Sequence, residues 1–143
     1  MTFRPGPALA LISMLVACHA TAPPPQTQAP VPCGAAVARV WHGRTATTRA
    51  DEYAAYLEPA ITKFRTLPGN LGYQMMRETI GDETHFTVIS YWRSREAIHG
   101  YAGADISRTR NLPRDPEFLI ELEPTVKNYD LVVQSFDCPS PPR

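Results

Sequence analysis

Lysine is nearly missing from this sequence. Only Lys63 and Lys127 are lysines among 14 basic side chains, and 14 acidic side chains bring the formal net charge to zero. No basic stripe runs along the chain. Phosphate backbones are held by clustered Lys and Arg, so nucleic acid is not an expected partner. No glycine-rich phosphate loop and no GxSxG elbow occur, which removes the signatures of nucleotide binding and of a serine nucleophile. The four histidines stand at no spacing with Cys, Asp or Glu typical of a metal site, so no metal is expected. Long apolar runs are absent as well. Residues Ala8–Ala17 are almost wholly apolar, but ten residues span about 15 Å as a helix, half a bilayer. Cysteine is scarce and odd in number, with Cys18, Cys33 and Cys138.

Proline is plentiful and sits at the ends. Seven of the fifteen prolines precede Cys33 and three follow Cys138, which leaves residues 33–138 as one compact domain. Ahead of it, Arg4 and the apolar run form the charged and hydrophobic regions of an export signal over residues 1–17. The run ends in Leu15-Val16-Ala17-Cys18, which is similar to the bacterial lipobox. On that reading the Cys18 thiol is lipidated and becomes the first residue of the mature chain, and acyl chains attach it to the membrane. The competing readings are an ordinary signal peptide with a chance cysteine and a buried N-terminal helix. Residues 18–32 then comprise the lipidated cysteine and a proline-rich tether, which reaches up to about 40 Å as polyproline II. Residues 139–143 are a short proline-rich tail. His19 stands where an Asp would hold such a protein in the inner membrane. The expected location is therefore the cell envelope, at the periplasmic face of the outer membrane.

Within the domain the apolar pattern alternates between periods of two and of three to four. Ala35–His42 reads as a first strand. Thr48 and Asp51 have the spacing of a capping box, and Tyr53, Tyr56, Leu57, Ala60, Ile61 and Phe64 share one helical face behind it. Pro59 should kink or break that helix. Leu71–Thr79 and Thr84–Trp92 read as a hairpin around Gly81-Asp82. Ser94 caps a short helix, Arg95–Tyr101, which Gly103 ends. Asp105–Asn111 is a candidate for another turn or two of helix. Asp115-Pro116-Glu117 opens a helix to about Leu122, Pro124 stops it, and Val126–Phe136 is the last strand.

The order βαββαβ is that of an α+β, ferredoxin-like fold with an antiparallel sheet in the order 4-1-3-2. This topology sets the start of strand 1 beside the end of strand 4. It therefore predicts a Cys33–Cys138 disulfide in an exported protein, against the alternative of two thiols near frayed ends. The third strand is apolar on both faces, with Phe86, Val88 and Trp92 on one and Ile89 and Tyr91 on the other. Helices cover one face. A second copy of the sheet is the expected cover for the other, giving a homodimer in place of a monomer with exposed apolar residues.

Four segments carry a resemblance: Ala38–Thr45 (ARVWHGRT), Leu67–Gly72 (LPGNLG), Phe86–Gly103 (FTVISYWRSREAIHGYAG) and Pro116–Tyr129 (PEFLIELEPTVKNY). Together they resemble the antibiotic biosynthesis monooxygenase-like proteins of the dimeric α+β barrel superfamily. The resemblance implies a dimeric barrel with a small-molecule pocket between sheet and helices. Trp92 matches a tryptophan that often lines that pocket. Tyr101, Trp41 and Tyr73 are the other candidate walls, and His42, His99 and Arg77 are candidate polar or catalytic groups. Each has a plainer reading: Trp92 as a core or dimer aromatic, His99 as a surface histidine, Arg77 as a salt-bridged strand arginine. Trp41 and His42 are strand neighbours and point to opposite faces. Haem-degrading relatives carry a histidine where Ala102 and Gly103 stand here. The resemblance implies a cofactor-independent monooxygenase acting on a small aromatic or apolar molecule. The alternative is a non-catalytic envelope lipoprotein that uses the same barrel to bind a ligand or partner.

Overall fold

The computed structural model describes residues 32–135 and Cys138. The leader, Cys18, most of the tether, the end of the expected last strand at Phe136 and the tail lie outside the described residues. Four strands form one antiparallel sheet: β1 (Val37–Ala46), β2 (Asn70–Ile80), β3 (Glu83–Trp92) and β4 (Lys127–Asp130). Three helices accompany them: α1 (Ala50–Thr62), α2 (Arg95–Ala102) and α3 (Asp115–Phe118). The strand order β2-β3-β1-β4 is the expected one read from the other edge. The domain is therefore ferredoxin-like.

Register follows turn chemistry and burial together. The β2–β3 hairpin closes at Gly81, whose φ of 63° suits a tight turn, and pairs Ile80 with Glu83. From there Phe86, Val88, Ser90 and Trp92 all fall on the helix-covered face, and each is almost fully buried. On β1 the same face carries Val37, Arg39, Trp41, Gly43 and Thr45, paired with Trp92, Ser90, Val88, Phe86 and Thr84. The core beneath the helices centres on Tyr53, Leu57, Ile61, Phe64, Phe86 and Phe118. The opposite face, with Val40, Met76, Ile80, Ile89, Tyr91 and Tyr129, is not covered by the described residues; Met76 is 45% and Tyr129 55% exposed.

Local reasoning is corrected at several places. β1 starts later and runs further than Ala35–His42, because its hydrogen bonding to β3 persists down to Ala46. Thr48 and Asp51 form no capping box. α1 begins after a 3-10 turn at Thr47–Arg49 with no side-chain cap, and Asp51 instead pairs with Arg77. Pro59 does not break α1, which continues to Thr62. Pro59 lies on the exposed side while Leu57 and Ile61 are buried, so packing holds the turn that the missing N–H weakens. Residues 105–111 form turns and extended backbone and no helix. α3 ends at Phe118 and not near Leu122, because Leu119 is already extended and bridges Thr45 of β1. β4 is only Lys127–Asp130.

One covalent bond ties the ends of the domain, and local caps bound α2. Cys33 and Cys138 are disulfide-bonded, with Cα atoms 5.8 Å apart. Ser94 accepts a hydrogen bond from the Ala97 amide at the start of α2, and Gly103 ends it at φ 84°.

Candidate functional site

Between the sheet and the helices lies a cavity of about 500 Å³. Its floor is the inward face of β1, where Trp41 lies along the strand over Gly43. A Cβ built on Gly43 would stand 2.3 Å from Cη2 of the Trp41 indole, so the missing side chain is what lets the ring lie flat. α1 and its 3-10 extension supply Leu57, Ile61 and Phe64 as apolar wall. Tyr101 of α2 closes one side, its ring edge-on to Phe64 at 5.1 Å between centroids.

Two polar groups are buried against this apolar lining. The first is Asp115, 3% exposed. Its Oδ2 accepts a hydrogen bond from the Leu112 amide at 2.7 Å, and its Oδ1 accepts one from the Tyr53 hydroxyl at 3.1 Å. Burial raises the carboxyl above the ordinary aspartate range, while both hydrogen bonds pull it down. The Tyr53 phenol is pushed up strongly by burial and by the neighbouring carboxylate, so it acts only as a donor. The second group is Arg39, 5% exposed. Its guanidinium donates to the carbonyls of Ile106 and Arg108 and to Asn128 Oδ1, and so ties the loop after α2 to the sheet. Burial lowers its proton affinity. Two cations lie near Tyr101: Arg39 Cζ is 5.8 Å and Arg110 Cζ 5.6 Å from its ring centroid. Burial raises the Tyr101 phenol, and the two guanidinium groups oppose that rise.

The candidate residues read from sequence separate in three dimensions. Trp41 and Tyr101 line the cavity. Trp92 does not: it is fully buried behind Tyr101, with ring centroids 6.2 Å apart, and its indole N–H donates to Ser90 Oγ at 2.9 Å. Ser90 is the residue that reaches the cavity there. Tyr73 also lies outside the lining, edge-on to Phe64 with its hydroxyl donating to Thr62. His42 is exposed on the opposite face of the sheet, opposite Thr87. His99 is on the surface, its Nδ1 2.8 Å from the Gly103 carbonyl at the end of α2. Arg77 is tied up in its ion pair with Asp51.

The residues that sequence reasoning missed are Arg39, Tyr53 and Asp115 as polar groups of the site. For Arg39 a signal exists. It alternates with Val37 and Trp41 on an otherwise apolar strand face, where a charge needs a reason. For Asp115 the local context misleads, because Asp-Pro-Glu reads as a helix opening.

A four-stranded antiparallel sheet with helices on one face and an aromatic-walled cavity between the layers defines a small ferredoxin-like α+β domain with room for a ligand. The family profile "Antibiotic biosynthesis monooxygenase" matches residues 39–109, so that stretch of the chain is similar to this family. Solved structures agree in fold. A protein of unknown function from Nitrosomonas europaea superposes with a TM-score of 0.56 at 11% identity, over 74% of this chain and 98% of its own. A candidate antibiotic biosynthesis monooxygenase from Bacillus cereus gives 0.54 at 10% identity, over 72% and 99%. Another from Nitrosomonas europaea gives 0.53 at 13% identity, over 69% and 92%. At these identities the likeness speaks for the fold alone. No curated protein matches the chain in sequence.

Proposed function

We propose that this chain is an exported, lipid-anchored protein whose domain binds a small aromatic molecule between sheet and helices and oxidises it with dioxygen, without a cofactor. One observation carries the reading: an aromatic-walled cavity of about 500 Å³ with a buried carboxyl, Asp115, in its lining. Apolar walls favour a flat ring, and a carboxyl whose proton affinity is raised by burial is the better base for a phenolic proton. Asp115 takes the phenol proton. The phenolate reduces dioxygen, and the pair combines at the ring carbon para to the hydroxyl. Loss of water then leaves a quinone. Overall, phenol plus dioxygen gives quinone plus water, with one oxygen atom in the new carbonyl and the other in the water. The substrate supplies the electrons. Tyr53 holds Asp115 in place and is a positioning residue.

The remaining parts of the proposal rest on other features. Leu15-Val16-Ala17-Cys18 supports lipidation at Cys18, and His19 supports the outer membrane, facing the periplasm. The uncovered apolar face of the sheet supports a homodimer built as an α+β barrel.

The test is oxygen uptake by the full chain with a panel of phenols and 1-naphthols that carry hydrogen para to the hydroxyl, with 18O2 as the label. The expected result is quinone carrying one labelled atom, with turnover lost in Asp115→Asn while binding persists. Binding of the panel with no oxygen consumed would make the chain a ligand-binding envelope lipoprotein instead.

A further inference from the structure

Arg39 is a buried cation with which, among the described residues, no carboxylate pairs. Its partners are two backbone carbonyls and one side-chain amide, all neutral. The carboxylate that acts on it from nearby, Asp105, is exposed and bonded to Ser107. A guanidinium has five N–H donors, and those contacts engage three of them. Taking such a charge out of water is costly unless an anion answers it. Two further cations line the same cavity: Arg110, whose Cζ is 5.6 Å from the Tyr101 ring centroid, and the exposed Lys63.

The lining also has a direction. On β1, Arg39 lies opposite Ser90 and Gly43 opposite Phe86, with Trp41 between them. Four residues of strand span about 13 Å. The Tyr53 ring rests on Phe86 at 5.3 Å between centroids, and its hydroxyl holds Asp115. By register, Arg39 and the Phe86 on which Tyr53 rests lie on either side of Trp41. A carboxylate is drawn to Arg39 and repelled by Asp115.

We infer that the ligand is an aromatic carboxylate, its acid group held by Arg39 and Arg110 and its ring on Trp41, with a hydroxyl directed at Asp115. This inference rests on the cavity being the ligand site proposed above, and it adds the substrate class. A planar carboxylate suits the guanidinium fork, which binds two oxygens at once.

The experiment is calorimetric titration of the full chain under argon with three probes: 6-hydroxy-2-naphthoate, its methyl ester and 2-naphthol. The acid is expected to bind at least tenfold more tightly than the ester, and raised salt should weaken the acid alone. Arg39→Gln should remove the preference for the acid over the ester. The comparison on the unaltered chain stands even if that variant fails to fold. If ester and acid bind alike, or Arg39→Gln binds the acid as before, the carboxylate assignment falls while the cavity reading survives. If none of the three probes binds, both fall together.

Discussion

Replacing Tyr53 by Phe removes one oxygen from the centre of the domain and leaves the ring packing intact. Tyr53 is fully buried and Asp115 is 3% exposed, so water does not replace the lost hydrogen bond at 3.1 Å. A hydrogen bond to a charged group contributes about 1.5–3 kcal/mol, and one to a neutral group about 1 kcal/mol. The cost therefore depends on whether Asp115 is ionised. Burial raises its pKa in the folded state above the unfolded value of about 3.9. The folded chain then binds the proton more tightly than the unfolded chain. Stability from this group falls as pH rises through the interval between the two values, and the loss is complete above the folded one. The bond from Tyr53 favours the ion and limits that loss. Without it the interval extends to higher pH. Tyr53→Phe should thus cost about 1.5–3 kcal/mol at pH 7 and only about 1 kcal/mol at pH 3, where the carboxyl is neutral. Urea unfolding followed by tryptophan fluorescence at both pH values measures the difference. An equal or smaller cost at pH 7 would refute the reasoning, because it would mean that Asp115 is not a buried anion held by Tyr53.

Other substitutions probe the floor, the staple, the open face and the anchor. Gly43→Ala sets a methyl 2.3 Å from the Trp41 indole, so the ring must move; a loss of about 1–3 kcal/mol and weaker ligand binding are expected in denaturation and titration. Cys33→Ser opens a loop of 105 residues, and a loss of about 2–5 kcal/mol should appear in thermal melts, with no effect of reductant on the variant. Ile89→Arg on the uncovered face should convert a dimer to a monomer in light scattering; an unaltered chain already monomeric at high concentration would remove the barrel proposal. Labelled palmitate should be incorporated by the full chain and not by Cys18→Ser; persistence in the variant would move the lipid elsewhere.

The strands, the hairpin and the order of elements were legible because neighbouring residues decide them. The alternation through Phe86, Val88 and Trp92, the turn at Gly81-Asp82 and the cap at Ser94 act within a few positions. The pairing of Cys33 with Cys138 was also within reach, since strand order brings the chain ends together. Local rules failed where a distant partner competed. Asp51 went to Arg77 and not to a helix cap, Leu119 went to Thr45 and not to a longer α3, and packing of Leu57 and Ile61 carried α1 past Pro59.

By itself, then, the sequence determined the layered α+β architecture and the two apolar faces of its sheet. The site belongs to the tertiary structure. Asp115 meets Tyr53 across 62 positions, and Arg39 reaches the carbonyls of Ile106 and Arg108 across 67 and 69. No periodicity encodes such meetings. The same packing removed Trp92 from the cavity by filling its place with Tyr101 and Ser90. Which side chain faces an empty space depends on everything that surrounds that space, and only the folded chain specifies that.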